Sequence, residues 1–300
     1  MTQTPPCSTS APDVRSHVQV CLKELHLTSI RERFEEAARQ AAQESAGYDS
    51  YLLDLVEREC EVRRQRRIER VLRESHLPLE KTLATFNRSR LSPKTVQQLS
   101  VLEQGFFLDK QENVLAFGNP GTGKTHLLCG LAQSLVRQGR RIWFSPCALL
   151  VQKLLIAKRD LALAPFLTKL GRFEAILIDD IGYVQHNREE MEVLFTLLAE
   201  RYERGSVMVT SNLAFSQWDK IFKDPMTTGA AIDRVVHHSV ILELNIPSYR
   251  MEQAQKRRET ASLVQHPAEE MVTAMTLDAH LETSGNSEIR SAGNAGHDGY

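Results

Sequence analysis

Residues 113–126 read NVLAFGNPGTGKTH, and the residues that follow are apolar at helical spacing. An apolar run, a loop of three glycines and a proline, and then a helix is an order that few folds accommodate. Gly118, Gly123, Lys124 and Thr125 fall in register with GxxxxGK[ST], in the strand-to-helix setting which that pattern requires. Glycines there let backbone N–H groups converge on phosphate oxygens at a helix N-terminus, where the helix dipole also favours negative charge. The loop Gly118, Asn119, Pro120, Gly121, Thr122, Gly123, Lys124 and Thr125 is therefore the expected nucleotide-phosphate cradle. Lys124 is expected to reach the β- and γ-phosphates, and the Thr125 hydroxyl to hold Mg2+.

The same rhythm continues downstream. Short apolar runs, NVLAF (113–117), RIWFS (141–145), AILID (175–179), VMVTS (207–211) and VILEL (240–244), alternate with helical patterns. That alternation predicts an α/β fold, a largely parallel sheet with helices on both faces. In AILIDDIGY two acids, Asp179 and Asp180, stand where a buried strand should end. Adjacent buried acids are costly without a cation, so Asp179 is read as a magnesium ligand through water and Asp180 as the group that orients or deprotonates an attacking water. Asn212 follows the fourth run at a strand C-terminus, the side on which ligands gather in parallel sheets.

Before residue 106 the chain is of another kind. From Val14 to about Ser75 there is almost no glycine or proline, which predicts two long helices with a break near Ala46-Gly47. The second holds RECEVRRQRRIERVLR, Arg58 to Arg73, with seven arginines (Arg58, Arg63, Arg64, Arg66, Arg67, Arg70 and Arg73) against three glutamates. A solvated helix face and a phosphate-contacting surface for nucleic acid fit that run equally well. The net charge of −1 hides a division along the chain. Residues 14–258 carry 36 basic and 30 acidic side chains, whereas residues 259–300 carry one and seven. Those last residues are rich in small polar types and cannot bury enough apolar surface to offset ordering entropy. No apolar run approaches the length of a bilayer span and the first twenty residues lack an apolar signal centre, so no membrane partner and a cytoplasmic location are expected.

GNPGTGKTHL, AILIDDIGYV, VTSNLAFSQWDKIF, DRVVHHSV and PSYR, in that order and spacing, resemble the AAA+ ATPases of the IstB-like family, helpers of insertion-sequence transposition. The wider group includes the DnaC-like helicase loaders. The resemblance runs from about Leu22 to Arg258. It implies an AAA+ P-loop core preceded by a small all-α domain, and it makes Asn212 the sensor that positions the lytic water. Arg234 matches the arginine finger that reaches a neighbouring subunit's nucleotide, and Arg250 the second sensor near the γ-phosphate. The implied organisation is a disordered start (1–13), a helical N-terminal DNA- or partner-binding domain (14–105), an AAA+ ATPase domain (106–258) and an acidic disordered tail (259–300). The implied activity is Mg2+-dependent ATP hydrolysis in a nucleotide-dependent oligomer on duplex DNA, with a transposase as partner. A replicative helicase loader is the alternative. Two departures stand out: Asp180 replaces the glutamate of many AAA+ ATPases, and Ile246-Pro247 precede Ser248 where relatives commonly carry glycine. A small-molecule kinase also uses such a loop, yet its arginine-rich lid is missing here. A nucleotide-gated binding module without turnover differs from the ATPase reading in one observable, phosphate release.

Overall fold

A computed structural model of the chain describes residues 11–182, 187–213, 217–218 and 225–258. The tail 259–300, expected to be disordered, lies outside the described residues, as does the start, 1–10.

Three helices come first: α1 (Ala11–Glu24), α2 (Thr28–Gln43) and α3 (Tyr48–Ser75). The expected break at Ala46-Gly47 is present, with Gly47 as the N-cap of α3. A second break divides the first expected helix at His26, whose φ is 54°. The reason for it lies in α3. The buried Glu59 carboxylate accepts hydrogen bonds from Ser29 N (2.8 Å) and Ile30 N (3.3 Å), which are free N–H groups in the first turn of α2. Arg63 Nε binds the same carboxylate at 2.8 Å, and Arg63 also donates to His26 O at 2.9 Å. No local cap residue signals this helix start, because the capping group comes from 30 residues downstream.

Beyond α3 the chain runs without regular structure to a short 3-10 turn (Arg88–Arg90), then α4 (Pro93–Leu102) and α5 (Phe106–Asp109). The α/β part follows as β1 (Asn113–Phe117), α6 (Lys124–Arg137), β2 (Ile142–Pro146), α7 (Cys147–Arg159), α8 (Leu163–Leu170), β3 (Ala175–Ile181), α9 (Arg188–Arg201), β4 (Ser206–Ser211), α10 (Pro225–Val236) and β5 (Ser239–Glu243). Residues 249–258 form a final helix. Each expected strand is present within a residue or two of its apolar run. All neighbours pair in parallel, in the order β2-β3-β4-β1-β5.

Alternation along the strands divides the core between two faces. Ile176 and Ile178 of β3 pack with Leu150 and Leu154 of α7 and Leu194 and Leu197 of α9. Ala175 and Leu177 pack on the other face with Leu127, Leu131 and Leu135 of α6, Leu99 of α4 and Val71 of α3. A buried cation ties the layers together at one end: Arg201 donates to the carbonyls of Phe173, Glu174 and Ser206 at 2.8–3.0 Å. Burial pulls its pKa down to about 10.

Burial alone would raise the pKa of Glu59, but Arg63 and the two backbone N–H groups more than offset it, so the carboxyl sits below its usual range. A depressed folded pKa means that its stabilisation is present above the unfolded value and is lost as pH falls through the folded one. Glu59→Ala, which strands two backbone donors, is expected to cost about 1–3 kcal/mol. Protection factors against hydrogen exchange at Ser29 and Ile30 should fall in that variant, and in the wild type at acid pH; unchanged protection would contradict the capping role.

Candidate functional site

The sheet's register brings the C-terminal ends of β1, β3 and β4 together, and the loop 118–125 opens there. β3 does not end at the acid pair, as the sequence suggested. Ile178 pairs with Val209 and Ile181 with Ser211, so Asp179 and Asp180 together oppose Thr210 in a β-bulge. Asp180 takes φ 64°, a left-handed conformation that Asp tolerates better than most residues. The kink is held from β4: Thr210 Oγ1 accepts from Asp180 N (2.8 Å) and donates to Asp179 Oδ1 (2.6 Å). Thr125 Oγ1, on the first turn of α6, donates to the same Asp179 oxygen at 2.7 Å.

Lys124 is 6% exposed, and its ammonium donates to Gly118 O (2.8 Å) and Asn119 O (3.0 Å). Desolvation lowers its pKa, with Asp180 and Asp179 opposing that shift and Arg250 adding to it. Asp180 is raised, first by desolvation and then by Asp179, while Lys124 and Arg250 pull it down. These four charges therefore share one field. Asn212, just past β4, has a buried Oδ1 with no hydrogen-bond partner among the described residues. A buried acceptor is costly when unpaired, and this one stands at the ligand side of the sheet.

Arg250 is brought to the loop by close packing. Tyr249 N donates to Gly121 O at 3.0 Å. Gly121 has φ +82°, a conformation that favours glycine, and a Cβ there would lie 2.1 Å from Ser248 Oγ, which marks how closely the two segments approach. Arg90 holds the same segment from outside, donating to Pro247 O (2.9 Å) and Glu252 (2.7 Å) and lying over the Tyr249 ring. Arg250 thus lies beside the loop with Ile246-Pro247 standing in place of the glycine.

One wall of the site was not visible in the sequence. Arg250, Tyr249 and Thr125 border a cavity of about 320 Å³ whose opposite side is formed by Lys81, Thr85 and Phe86. That volume is at the small end of ligand cavities, roughly 300–1,000 Å³. Phe86 meets His126 edge to face at 5.5 Å, and His126 Nε2 lies 2.9 Å from Thr82 O and 3.0 Å from Thr85 Oγ1. The only local sign was negative, a stretch between helices that lacked helical periodicity.

Arg234 lies elsewhere. Asn113, the first residue of β1, donates to Val235 O at 2.9 Å, so the end of α10 sits at the N-terminal edge of the sheet. Its guanidinium stacks over Phe195 at 4.6 Å, with Nη1 buried and without a hydrogen-bond partner among the described residues. A five-residue strand, about 16 Å, separates the two edges. The arginines of α3 also lie apart from the loop. Arg58 pairs with Asp54 and Arg63 with Glu59, whereas Arg64, Arg66, Arg67, Arg70 and Arg73 are exposed.

Thr125 and Asp179 offer hard oxygen donors side by side, as magnesium prefers, and magnesium needs only one or two such protein groups when phosphates supply the rest. Over residues 20–257 the chain matches the family described as IstB-like ATP binding protein. The chain belongs to that family. A Sinorhizobium fredii protein named as an insertion-sequence ATP-binding protein is 37% identical over 269 residues, 88% of this chain and 90% of that one. A Pseudomonas aeruginosa protein named for ATP binding in insertion sequence IS21 is 34% identical over 80% of this chain and 90% of its own. Among solved structures, DnaA from Aquifex aeolicus bound to AMPPCP is similar with a TM-score of 0.49 at 14% identity, over 62% of this chain and 56% of that one. The AAA+ P-loop assignment of this IstB-like chain rests on its family, its loop and its sheet order.

The wall containing Phe86 depends on Gly130. A Cβ at this mid-helix position would lie 2.8 Å from Leu83 N, a backbone atom that cannot swing away. Alanine would gain up to about 1 kcal/mol of helix propensity in an isolated helix. Here Gly130→Ala is expected to lower the melting temperature and to weaken ATP binding by displacing residues 82–86, as calorimetry would read. A more stable variant with unchanged affinity would separate that wall from the site.

Proposed function

We propose that this protein is an ATP-dependent DNA-binding helper of insertion-sequence transposition, which assembles on duplex DNA with ATP, recruits or stimulates a transposase and is reset by hydrolysis. The observation that carries the nucleotide half of this reading is the convergence of Lys124, the Thr125–Asp179 pair, Asp180 and Arg250 on one loop. The transposition half rests on family membership and on relatives named for insertion sequences.

In this reading the loop N–H groups and Lys124 hold the phosphates of ATP. Magnesium, when bound by Thr125 and Asp179, would supply charge neutralisation on the phosphate oxygens. Asp180 orients the attacking water. Asn212 supplies the unpaired Oδ1 as an acceptor for that water or for a group it touches. Arg250 stands against the γ-phosphate side. Arg234, at the far edge of the sheet, cannot serve its own nucleotide, so its role is in a neighbouring copy. Turnover then depends on assembly, because the charge developing on the transferred phosphoryl group meets its arginine only across an interface.

Asp180→Asn should abolish phosphate release while ATP affinity stays within a few-fold of wild type. Arg234→Ala should lose roughly 10³-fold or more in turnover. Mixing these two variants restores turnover if the arginine acts in trans, since one copy retains a working site and the other a working finger. Steady phosphate release by Asp180→Asn, or no rescue on mixing, would overturn the assignments.

A further inference from the structure

The last two turns of the arginine helix do not end in solvent. Arg70 and Arg73 form one wall of a groove of about 710 Å³ whose other walls belong to the ATP-binding core. β2 is an edge strand of the sheet, and Trp143 on it, with Arg141 just before it, lines the groove. Lys153 comes from α7, Lys169 from the end of α8, and Arg172 from the turn that follows. Six cations thus meet a single lining carboxylate, Glu74, which is taken by Arg141 at 3.2 Å. Among the described residues, Arg70, Arg73, Lys153, Lys169 and Arg172 have no carboxylate partner, and all five are exposed. Concentrating unpaired like charge is unfavourable unless a polyanion fills the space.

Two aromatic rings of the floor are covered by the cations themselves. Trp143 and Phe173 are 5% and 7% exposed, and their faces are already covered, Trp143 by the Lys153 ammonium at 5.4 Å and Phe173 by the Arg141 guanidinium at 5.1 Å. Phe166, half-buried, also lines the groove. What the groove presents is charge carried on side-chain stems that lie across apolar surface. It also continues a row: Arg66, Arg70 and Arg73 recur four and three residues apart, on one side of α3, over about 10 Å. A linear array of cations that runs from a helix into a groove with five unpaired cations suits a phosphodiester backbone.

We propose that this groove is a phosphate-backbone site for duplex DNA, at which a strand passes from the arginine helix onto the ATP-binding core. This rests on the DNA-binding reading given above and adds to it a contact surface on the core itself. β2 pairs with β3, with Trp143 opposite Ile176, so DNA held here contacts the strand beside the one that carries the acid pair, at its opposite end.

The test is fluorescence anisotropy of the full chain with a random-sequence duplex and ATP across a salt series. Wild type is compared with Lys169→Ala/Arg172→Ala and, separately, with Arg66→Ala/Arg67→Ala on α3. Each lost phosphate contact removes about 0.9 from the salt slope. The groove variant is expected to lose about 1.8 in slope and roughly tenfold or more in affinity at ~0.1 M salt, with ATP affinity and melting temperature unchanged. An unchanged slope in the groove variant, beside a reduced one in the α3 variant, would overturn the groove and leave DNA binding on the helix. Intact DNA binding with lost transposase capture would assign the groove to an acidic protein segment, overturning the proposal. No duplex binding by wild type would overturn the DNA-binding reading, and the groove with it.

Discussion

One oxygen of Asp179 holds the site together. It accepts hydroxyl hydrogen bonds from Thr125 on α6 and from Thr210 on β4, so three separate elements are fixed at a single atom. Thr210 also receives the N–H of Asp180, and that bond maintains the bulge in β3. Without the bulge, strict alternation would send Asp179 and Asp180 to opposite faces of a regular strand. With it, Asp180 shares a field with Lys124 and Arg250 while Asp179 stays paired to the loop helix. The left-handed backbone at Asp180 is the local cost of this arrangement, of the order of 1–2 kcal/mol.

Around that atom the site is closed by segments far apart in sequence. Residues 82–86 come from before the sheet and residues 246–250 from after it, and Arg90 bonds the first region to the second. A ligand between Phe86 and Arg250 would therefore contact both ends of the α/β core as well as its loop. Because Val71 near the end of α3 packs into the same core cluster as α6, a change at the loop has a contiguous packed route to the arginine helix. Such packing is a route only; coupling along it requires α3 to have two arrangements that nucleotide and DNA each bias.

The fold was legible because its signals are local. Each of the five strands announced itself as an apolar run, and the loop between β1 and α6 by glycines whose reason is chemical. The fine structure was not legible, since its causes act at long range. The break at His26 depends on Glu59, and the bulge at Asp179-Asp180 on Thr210, neither of which has a spacing rule to betray it. Phe86 sits in a stretch without periodicity, and only the close approach allowed by Gly130 brings that stretch over the loop helix. The arginine run illustrates the reverse problem. Composition treats its seven members alike, but Arg58 and Arg63 are engaged in helix pairs whereas Arg70 and Arg73 line a groove that also takes cations from 70 to 100 residues downstream.

In the function proposed here, nucleotide at this loop controls contact with DNA. Its most direct test is equilibrium binding of the full chain to random-sequence duplex and single-stranded DNA, with ATP or ADP and magnesium, across a salt series. Duplex-preferring, salt-sensitive binding that ATP strengthens over ADP, and that Lys124→Ala renders indifferent to nucleotide, is the predicted result. Binding of equal strength with either nucleotide would contradict the claim, and a preference for single strands would favour the helicase-loader alternative instead.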